Sequence, residues 1–335
     1  MSFITFGETM LRLTPSDNAA KIKSSRLFQV NYAGSESNVA SSLGVLGNTV
    51  SHITKFPNNQ LGDAAIASLQ SYGIETRYIV RGGIRIGTYF IEIGSSIRPS
   101  SVVYDRANSA ISEIGTNEFD WDEILENKKW IFLSGITPVL SKQCADETIK
   151  AAKIAQQKGV KVGFDMNYRR SLWKDPADAR KIFNQIIEHT DTLFGNEGVL
   201  NDIYDIKPPG DSIVNRTIEA STLAAKEFGI KQLALTVREH LSASNNKVSA
   251  VFLSNAKHHV SDSIDVAITD RFGAGDAFAA ATLHAINLSW DNKKVVDFAT
   301  AAFALKHTIQ GDQHTSSEKE ILSIMEGNTT GQVLR

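Results

Sequence analysis

The chain has 335 residues, 42% hydrophobic and 21% charged, enough to bury a substantial core in one large α/β domain or two smaller ones. Its 35 lysines and arginines against 37 aspartates and glutamates give a formal charge of −2, so no basic excess exists to drive binding to nucleic acid or a membrane surface. The single cysteine, Cys144, excludes an intrachain disulfide and a cysteine-based zinc site. No apolar run approaches the ~18 residues of a transmembrane helix, and the start lacks a secretion signal, so a cytoplasmic protein is expected.

In chain order, Phe3–Phe6 reads as a short buried strand running into Gly7-Glu8. The spacing of Val39, Leu43 and Leu46 predicts a helix over Ser37–Leu46, followed by a strand over Val50–Phe56 and a helix over Leu61–Tyr72 closed by Gly73. Trp130–Leu133, Val160–Phe164, Thr192–Phe194 and Gln232–Val237 read as strands. Lys142–Lys158, Pro176–His189 and Ile213–Phe228 read as the helices between them, and Ala274–Leu288 and Asp291–Leu305 as two closing helices. This alternation predicts a mostly parallel sheet covered on both faces. Thr9–Asn31 and Arg85–Arg106 break it with short alternating segments around Gly, Pro and Ser, which read as antiparallel hairpins outside the main sheet and a candidate lid.

The string Thr269-Asp-Arg-Phe-Gly-Ala-Gly-Asp-Ala-Phe278 carries the most chemistry. Gly273, Ala274 and Gly275 open a helix of small residues and leave backbone N–H groups unobstructed, which with the helix dipole makes an anion site. Asp276 either caps that helix or acts as a proton acceptor beside bound phosphate, and the local sequence leaves both open. No P-loop, dinucleotide fingerprint, His-Glu-x-x-His or Gly-x-Ser-x-Gly occurs, and His258-His259 reads as a solvated strand edge rather than a metal site.

Asp270-Arg-Phe-Gly-Ala-Gly-Asp276 resembles the C-terminal signature of the ribokinase-like (phosphofructokinase-B) carbohydrate kinases. Ala33-Gly-Ser-Glu-Ser-Asn-Val-Ala40 resembles their N-terminal one, and the two stand in order about 240 residues apart. The resemblance spans essentially the whole chain. It implies a single ribokinase-like domain over residues 1–335, a three-layer α/β/α fold with a small β-sheet lid formed by insertions at about 9–31 and 85–106. Tyr89, Tyr104-Asp-Arg-Ala-Asn-Ser-Ala110, Asp165-Met-Asn-Tyr-Arg-Arg-Ser-Leu-Trp173 and Gly311-Asp312 look like segments of the 2-keto-3-deoxygluconate kinases.

By that resemblance the chain would pass the γ-phosphate of ATP to a hydroxyl of 2-keto-3-deoxygluconate, giving the 6-phosphate, with Asp276 as general base. Gly34, Ser35 and Asn38 would approach the sugar, Tyr89 and Tyr104 would shape its site, Arg106 and Arg169 would grip its carboxylate, and Asp312 would bond a hydroxyl. Guanidinium forks suit a carboxylate, although a structural or surface role for either arginine is the plain alternative. Asn167, Asn196, Thr236, Arg238, Gly273 and Gly275 would serve ATP, with Mg²⁺ as cofactor and a monovalent cation left open. The resemblance also implies a homodimer paired through the lid. Two departures stand out: Asn196-Glu-Gly-Val199 has valine where the family carries glutamate, and Leu235-Thr-Val-Arg-Glu-His-Leu241 lacks the usual Lys-x-Gly turn. A kinase of a neutral sugar or nucleoside on the same fold, a sugar-binding regulator without catalysis and, more remotely, a dehydrogenase are the rival readings.

Overall fold

The computed structural model describes residues 2–17 and 20–331; Met1, residues 18–19 of the first lid segment and residues 332–335 lie outside the described residues. The first half of the chain forms β1 (Ser2–Phe6), β2 (Met10–Pro15), β3 (Phe28–Ala33), α1 (Ser35–Val45), β4 (Thr49–Ile53), β5 (Lys55–Phe56), α2 (Gln60–Ser71), β6 (Ile74–Glu75), β7 (Val80–Arg81), β8 (Thr88–Glu92) and β9 (Ser101–Asp105). Strand and helix then alternate through α3 (Trp121–Ile124), β10 (Trp130–Ser134), α4 (Lys142–Gln157), β11 (Lys161–Asp165), α5 (Pro176–Ile187), β12 (Thr192–Gly195), α6 (Glu197–Tyr204) and α7 (Ile213–Phe228). The chain ends with β13 (Gln232–His240), β14 (Asn245–Ser254), β15 (Lys257–Val260), β16 (Ile264–Ala267), α8 (Ala274–Asn287), α9 (Asn292–Lys306) and α10 (Glu318–Met325).

Ten strands form the main sheet, in the order β15-β14-β13-β12-β11-β10-β1-β4-β6, with β16 on β14. From β6 to β13 every pairing is parallel, and β14 pairs antiparallel with β13, β15 and β16. Period-two alternation sorts the strand side chains between two cores. Ile131, Leu133, Leu193, Leu233 and Leu235 join the core under α4, α5 and α7, whereas Trp130, Phe132, Phe194 and Ala234 join the one under α1, α8 and α9. By the same alternation Thr236, Arg238 and His240 follow Ala234 on the α8 side. α8 packs against both α1 and α9. Its run of buried alanines (Ala277, Ala279, Ala280, Ala281, Ala285) permits that close approach.

The strand expected over Val50–Phe56 divides at Thr54: β4 stays in the main sheet and β5 pairs with β7. The helix expected from Ser37 begins at Ser35, and the sequence reading lacked α3, α6, α10, β6, β7, β14 and β16. His258 and His259 lie on the edge strand β15, and no group of three potential metal ligands occurs among the described residues.

The two lid segments form one four-stranded sheet, β3-β2-β8-β9. Each hairpin is antiparallel as expected, but β2 and β8 join them through parallel pairing. Arg12 of β2 ties this sheet to the body. Fully buried, its guanidinium bonds Asp312 and Asp270, and Tyr89 of β8 donates to the second oxygen of Asp312 at 2.7 Å. Burial opposes the charge on Arg12, but Asp312 and Asp270 more than offset it, so the arginine stays charged. Arg12→Ala should therefore destabilise the fold by about 3–5 kcal/mol, the cost of leaving buried carboxylates without their partner. Urea unfolding reads this directly, and an unchanged midpoint would show that the ion network contributes nothing to stability.

Candidate active site

The carboxyl ends of β11, β12 and β13 meet the N-termini of α1 and α8, the place where open α/β sheets take ligands. A cavity of about 580 Å³ opens there. Gly273 caps α8 with φ 75°, and a Cβ on it would lie 1.8 Å from the Asp312 carbonyl oxygen, so left-handed backbone and close approach both demand glycine. A Cβ at Gly275 would meet nothing within 4 Å, so the helix start faces open space. Among the described residues nothing accepts the Gly275 and Asp276 N–H groups, whereas Ala277 donates back to Gly273 at 2.9 Å. Two N–H groups at the start of α8, where the sequence suggests an anion site, are thus left without an acceptor among the described residues.

Asp276 lines this cavity and is otherwise buried. It does not cap its own helix. Ser35 Oγ donates to its Oδ1 at 2.8 Å and Asn38 Nδ2 donates to its Oδ2 at 2.7 Å, both from the first turn of α1. Asn167 Nδ2 donates in turn to Ser35 Oγ at 2.8 Å. Gly34 precedes this turn because a Cβ there would lie 1.9 Å from the Glu8 carbonyl oxygen, and its N–H donates to Asn38 Oδ1 at 3.3 Å. Burial pushes the Asp276 pKa up to about 7. The Asn38 and Ser35 bonds oppose the rise, and the charges of Asp165 and Asp312 add to it.

The residues anticipated for ATP gather on the cavity wall: Asn167, Asn196, Thr236 and Arg238, with Gly273 and Gly275. Asn196 caps α6 by accepting from the Val199 N–H at 3.1 Å. Val199 brings an apolar side chain to the wall, beside Ile213. Arg238 meets the neutral ring of His307 at 3.0 Å, and burial lowers its pKa to about 10, Arg271 adding to the effect.

The two arginines anticipated for a carboxylate differ in situation. Arg169 stands exposed just beyond β11 on the cavity wall, where its guanidinium donates to the Tyr168 carbonyl at 3.4 Å and, among the described residues, meets no carboxylate. Arg106 is buried and already engaged. Its Nε donates to Glu8 Oε2 at 2.8 Å, and it lies 5.5 Å from the Tyr104 ring centroid. Tyr89 and Tyr104 stack at 6.0 Å, and Asp312 is held by Arg12 and Tyr89. Tyr89, Tyr104, Arg106 and Asp312 therefore form a lid-side group outside the cavity wall, joined to it where the Asp312 backbone meets Gly273. Arg12, Glu8, Asp165 and Arg271 were absent from the sequence reading of the site. Asp165 and Arg271 sit inside its quoted segments, whereas Arg12 and Glu8 carry no local signal.

The sequence pattern of the pfkB family carbohydrate kinases matches residues 2–319. Among solved structures, 2-dehydro-3-deoxygluconokinase from Thermotoga maritima matches with a TM-score of 0.94 and 41% identity, covering 98% of each chain. The 2-dehydro-3-deoxygalactonokinase of Haloferax volcanii is 29% identical over 98% of both chains. The 2-dehydro-3-deoxygluconokinase of Bacillus subtilis is 27% identical over 96% of this chain and 94% of its own. The ribokinase-like three-layer fold expected from the sequence is the one present. A match of that extent, with both signature segments meeting at Asp276, has one consequence for classification: the chain belongs to the pfkB family of carbohydrate kinases.

Proposed function

We propose that this carbohydrate kinase transfers the γ-phosphate of ATP to the 6-hydroxyl of 2-keto-3-deoxygluconate, with Asp276 as general base. The observation that carries the reading is a carboxylate with a pKa of about 7, fixed by Ser35 and Asn38 beside an open helix N-terminus. Such a group is about half ionised at neutral pH and basic enough to take a proton in the transition state. Each Asp276 oxygen accepts one bond and keeps a second lone-pair direction for the sugar hydroxyl. As that proton moves to Asp276, the hydroxyl oxygen attacks the γ-phosphorus and ADP leaves. The N–H groups of Gly275 and Asp276 lie where charge builds on the transferring oxygens.

The relatives named for keto-deoxy sugar acids, two at the gluco and one at the galacto configuration, support an acidic acceptor. Arg169, with donors to spare at the cavity mouth, is the first candidate to read its carboxylate. Arg106 would have to share or exchange its Glu8 partner to take part. At the other end, Val199 and Ile213 offer an apolar slot for the adenine, with Asn196, Thr236 and Arg238 along the path to the phosphates.

Magnesium is compatible with the wall: Asp165 and Glu197 are carboxylates on it, and Mg²⁺ commonly binds through one or two carboxylates plus substrate phosphates. When bound it neutralises charge on the phosphates. The lid carries Val30 and Val103 exposed on its two edge strands, which supports pairing with a second copy through that sheet.

Asp276→Asn keeps the shape of the group, its amide oxygen still accepting from Asn38 while its NH2 now donates to the Ser35 hydroxyl, and should cut kcat by ~10²–10⁴-fold with little change in either KM. The wild-type rate should fall as pH drops below about 7, where Asp276 becomes protonated, and the residual rate of the variant should lack that limb. Wild-type turnover in the variant removes Asp276 from the mechanism. Arg169→Ala should raise KM for the sugar acid by ~10–150-fold, the range of a hydrogen bond to a charged group, while sparing ATP. An acceptor panel of 2-keto-3-deoxygluconate, its galacto epimer, fructose and ribose, read by ADP release, tests the substrate class. Preference for a neutral sugar, or sugar binding without ADP formation, refutes the proposal.

A further inference from the structure

We infer that Arg271, with Arg238, forms a paired binding site for the nucleotide's phosphates, making Arg271 a further substrate-binding residue of the transfer reaction. This rests on the kinase reading above and extends it to a residue that reading does not use. Arg271 precedes Gly273 by two residues and lines the same cavity, as do Arg238 and His240 on β13. Among the described residues no carboxylate lies within ion-pair distance of Arg238 or Arg271, unlike Arg12, which holds two, and Arg106, Arg170 and Arg216, each of which holds one.

What they do hold is neutral. With the Asn246 amide turned to the orientation that satisfies its neighbours, its oxygen accepts from an Arg271 Nη at 3.1 Å, and the Arg271 Nε is out of reach of water with no partner among the described residues. Arg238 meets the His307 ring, whose own pKa burial pushes down to about 3, and its guanidinium lies 5.2 Å from the Phe303 centroid. Two guanidiniums turned toward one cavity without a counter-charge repel each other and suffer desolvation that no protein group offsets. An arriving polyanion relieves both costs. The two arginines sit on the β13–β14 side of the α8 N-terminus, with Thr236 between Arg238 and the sheet interior. The lid side, by contrast, already has its cations bound to Asp270, Asp312 and Glu8. A diphosphate or triphosphate laid across the helix start is the anion this arrangement fits, and guanidinium forks match its oxygens.

The test compares wild-type protein with Arg271→Gln, Arg271→Lys and Arg238→Gln by calorimetry, using ADP and adenosine as probes in magnesium-free buffer with EDTA. Arg271→Gln should weaken ADP about tenfold or more, as expected for loss of charged hydrogen bonds, while adenosine binds as before. Arg271→Lys should recover part of the loss, and Arg238→Gln should act in the same direction. The unliganded melting temperature of Arg271→Gln should equal or exceed that of wild type, because removal of one of two repelling charges relieves strain. ADP binding unchanged in Arg271→Gln overturns the inference, as does an equal loss for ADP and adenosine accompanied by a lower melting temperature. Kinase activity with normal ADP binding by that variant refutes this inference alone. An inactive wild-type chain whose ADP affinity still depends on Arg271 refutes the kinase reading and leaves the phosphate pair standing.

Discussion

Burial of Arg12 between Asp270 and Asp312 is the constraint on which the rest of the site rests. An ion network out of water gains little net stability over well-packed hydrocarbon, so what it contributes is position. Arg12 fixes Asp312, and the Asp312 carbonyl lies directly beneath Gly273, where no side chain could fit. Asp270 accepts from the N–H groups of Phe272 and Gly311, each at 3.1 Å, which binds the strand-to-helix loop to the loop carrying Asp312. The helix start that faces the cavity is thus held from below by a residue of the lid. It follows that β2 is the fixed side of that lid. β9, at the far edge of the same sheet, has largely exposed residues.

The same rigidity explains how Asp276 keeps a raised pKa despite two good hydrogen bonds. Ser35 and Asn38 each stabilise the ionised form, yet neither brings a positive charge, and among the described residues no arginine or lysine bonds Asp276. Burial therefore wins, and the negative charges of Asp165 and Asp312 reinforce it. A cationic partner at either position would hold the carboxylate low and make it a poor base. Neutral donors orient it without that penalty, and Asn167 extends the orientation by fixing Ser35.

How much of this was legible in the sequence follows from how far apart the partners lie. The candidate anion site is local: Gly273, Gly275 and Asp276 fall within four residues, and the strand-helix alternation around them is a pattern of period and punctuation. The N-terminal signature supplied Ser35 and Asn38 through family resemblance, although their bonds to Asp276 cross about 240 residues. Arg12 had no such help. It is one arginine in Met-Leu-Arg-Leu-Thr-Pro, a pattern that reads as a strand with one wet face, and its partners lie 258 and 300 residues away. Arg106 was visible as an arginine after a hairpin, but Glu8, 98 residues earlier, was not visible as its partner. β14 opens with Asn-Asn-Lys and α6 contains Gly198 in its first turn, so each begins with residues that argue against its own element.

Val199 acquires a physical meaning in this setting. With valine at the third position of α6, the nearby wall carries Glu197 as its carboxylate, and Arg216 holds that group at 2.8 Å. Negative charge is therefore scarce where the phosphates would lie, and Arg238, Arg271 and the N–H groups of α8 make that end of the cavity electropositive. At the acceptor end, Asp276 and Asp165 stand on the wall with Asp312 close enough for its charge to be felt. The field across the cavity thus runs from a cationic end to an acidic one. On the proposed reading, an anion would be drawn toward the first, while a hydroxyl near the second would meet a carboxylate whose basicity burial has raised. Valine at position 199, where the family resemblance implies glutamate, is consistent with this polarity: it leaves the cationic end without a further negative charge.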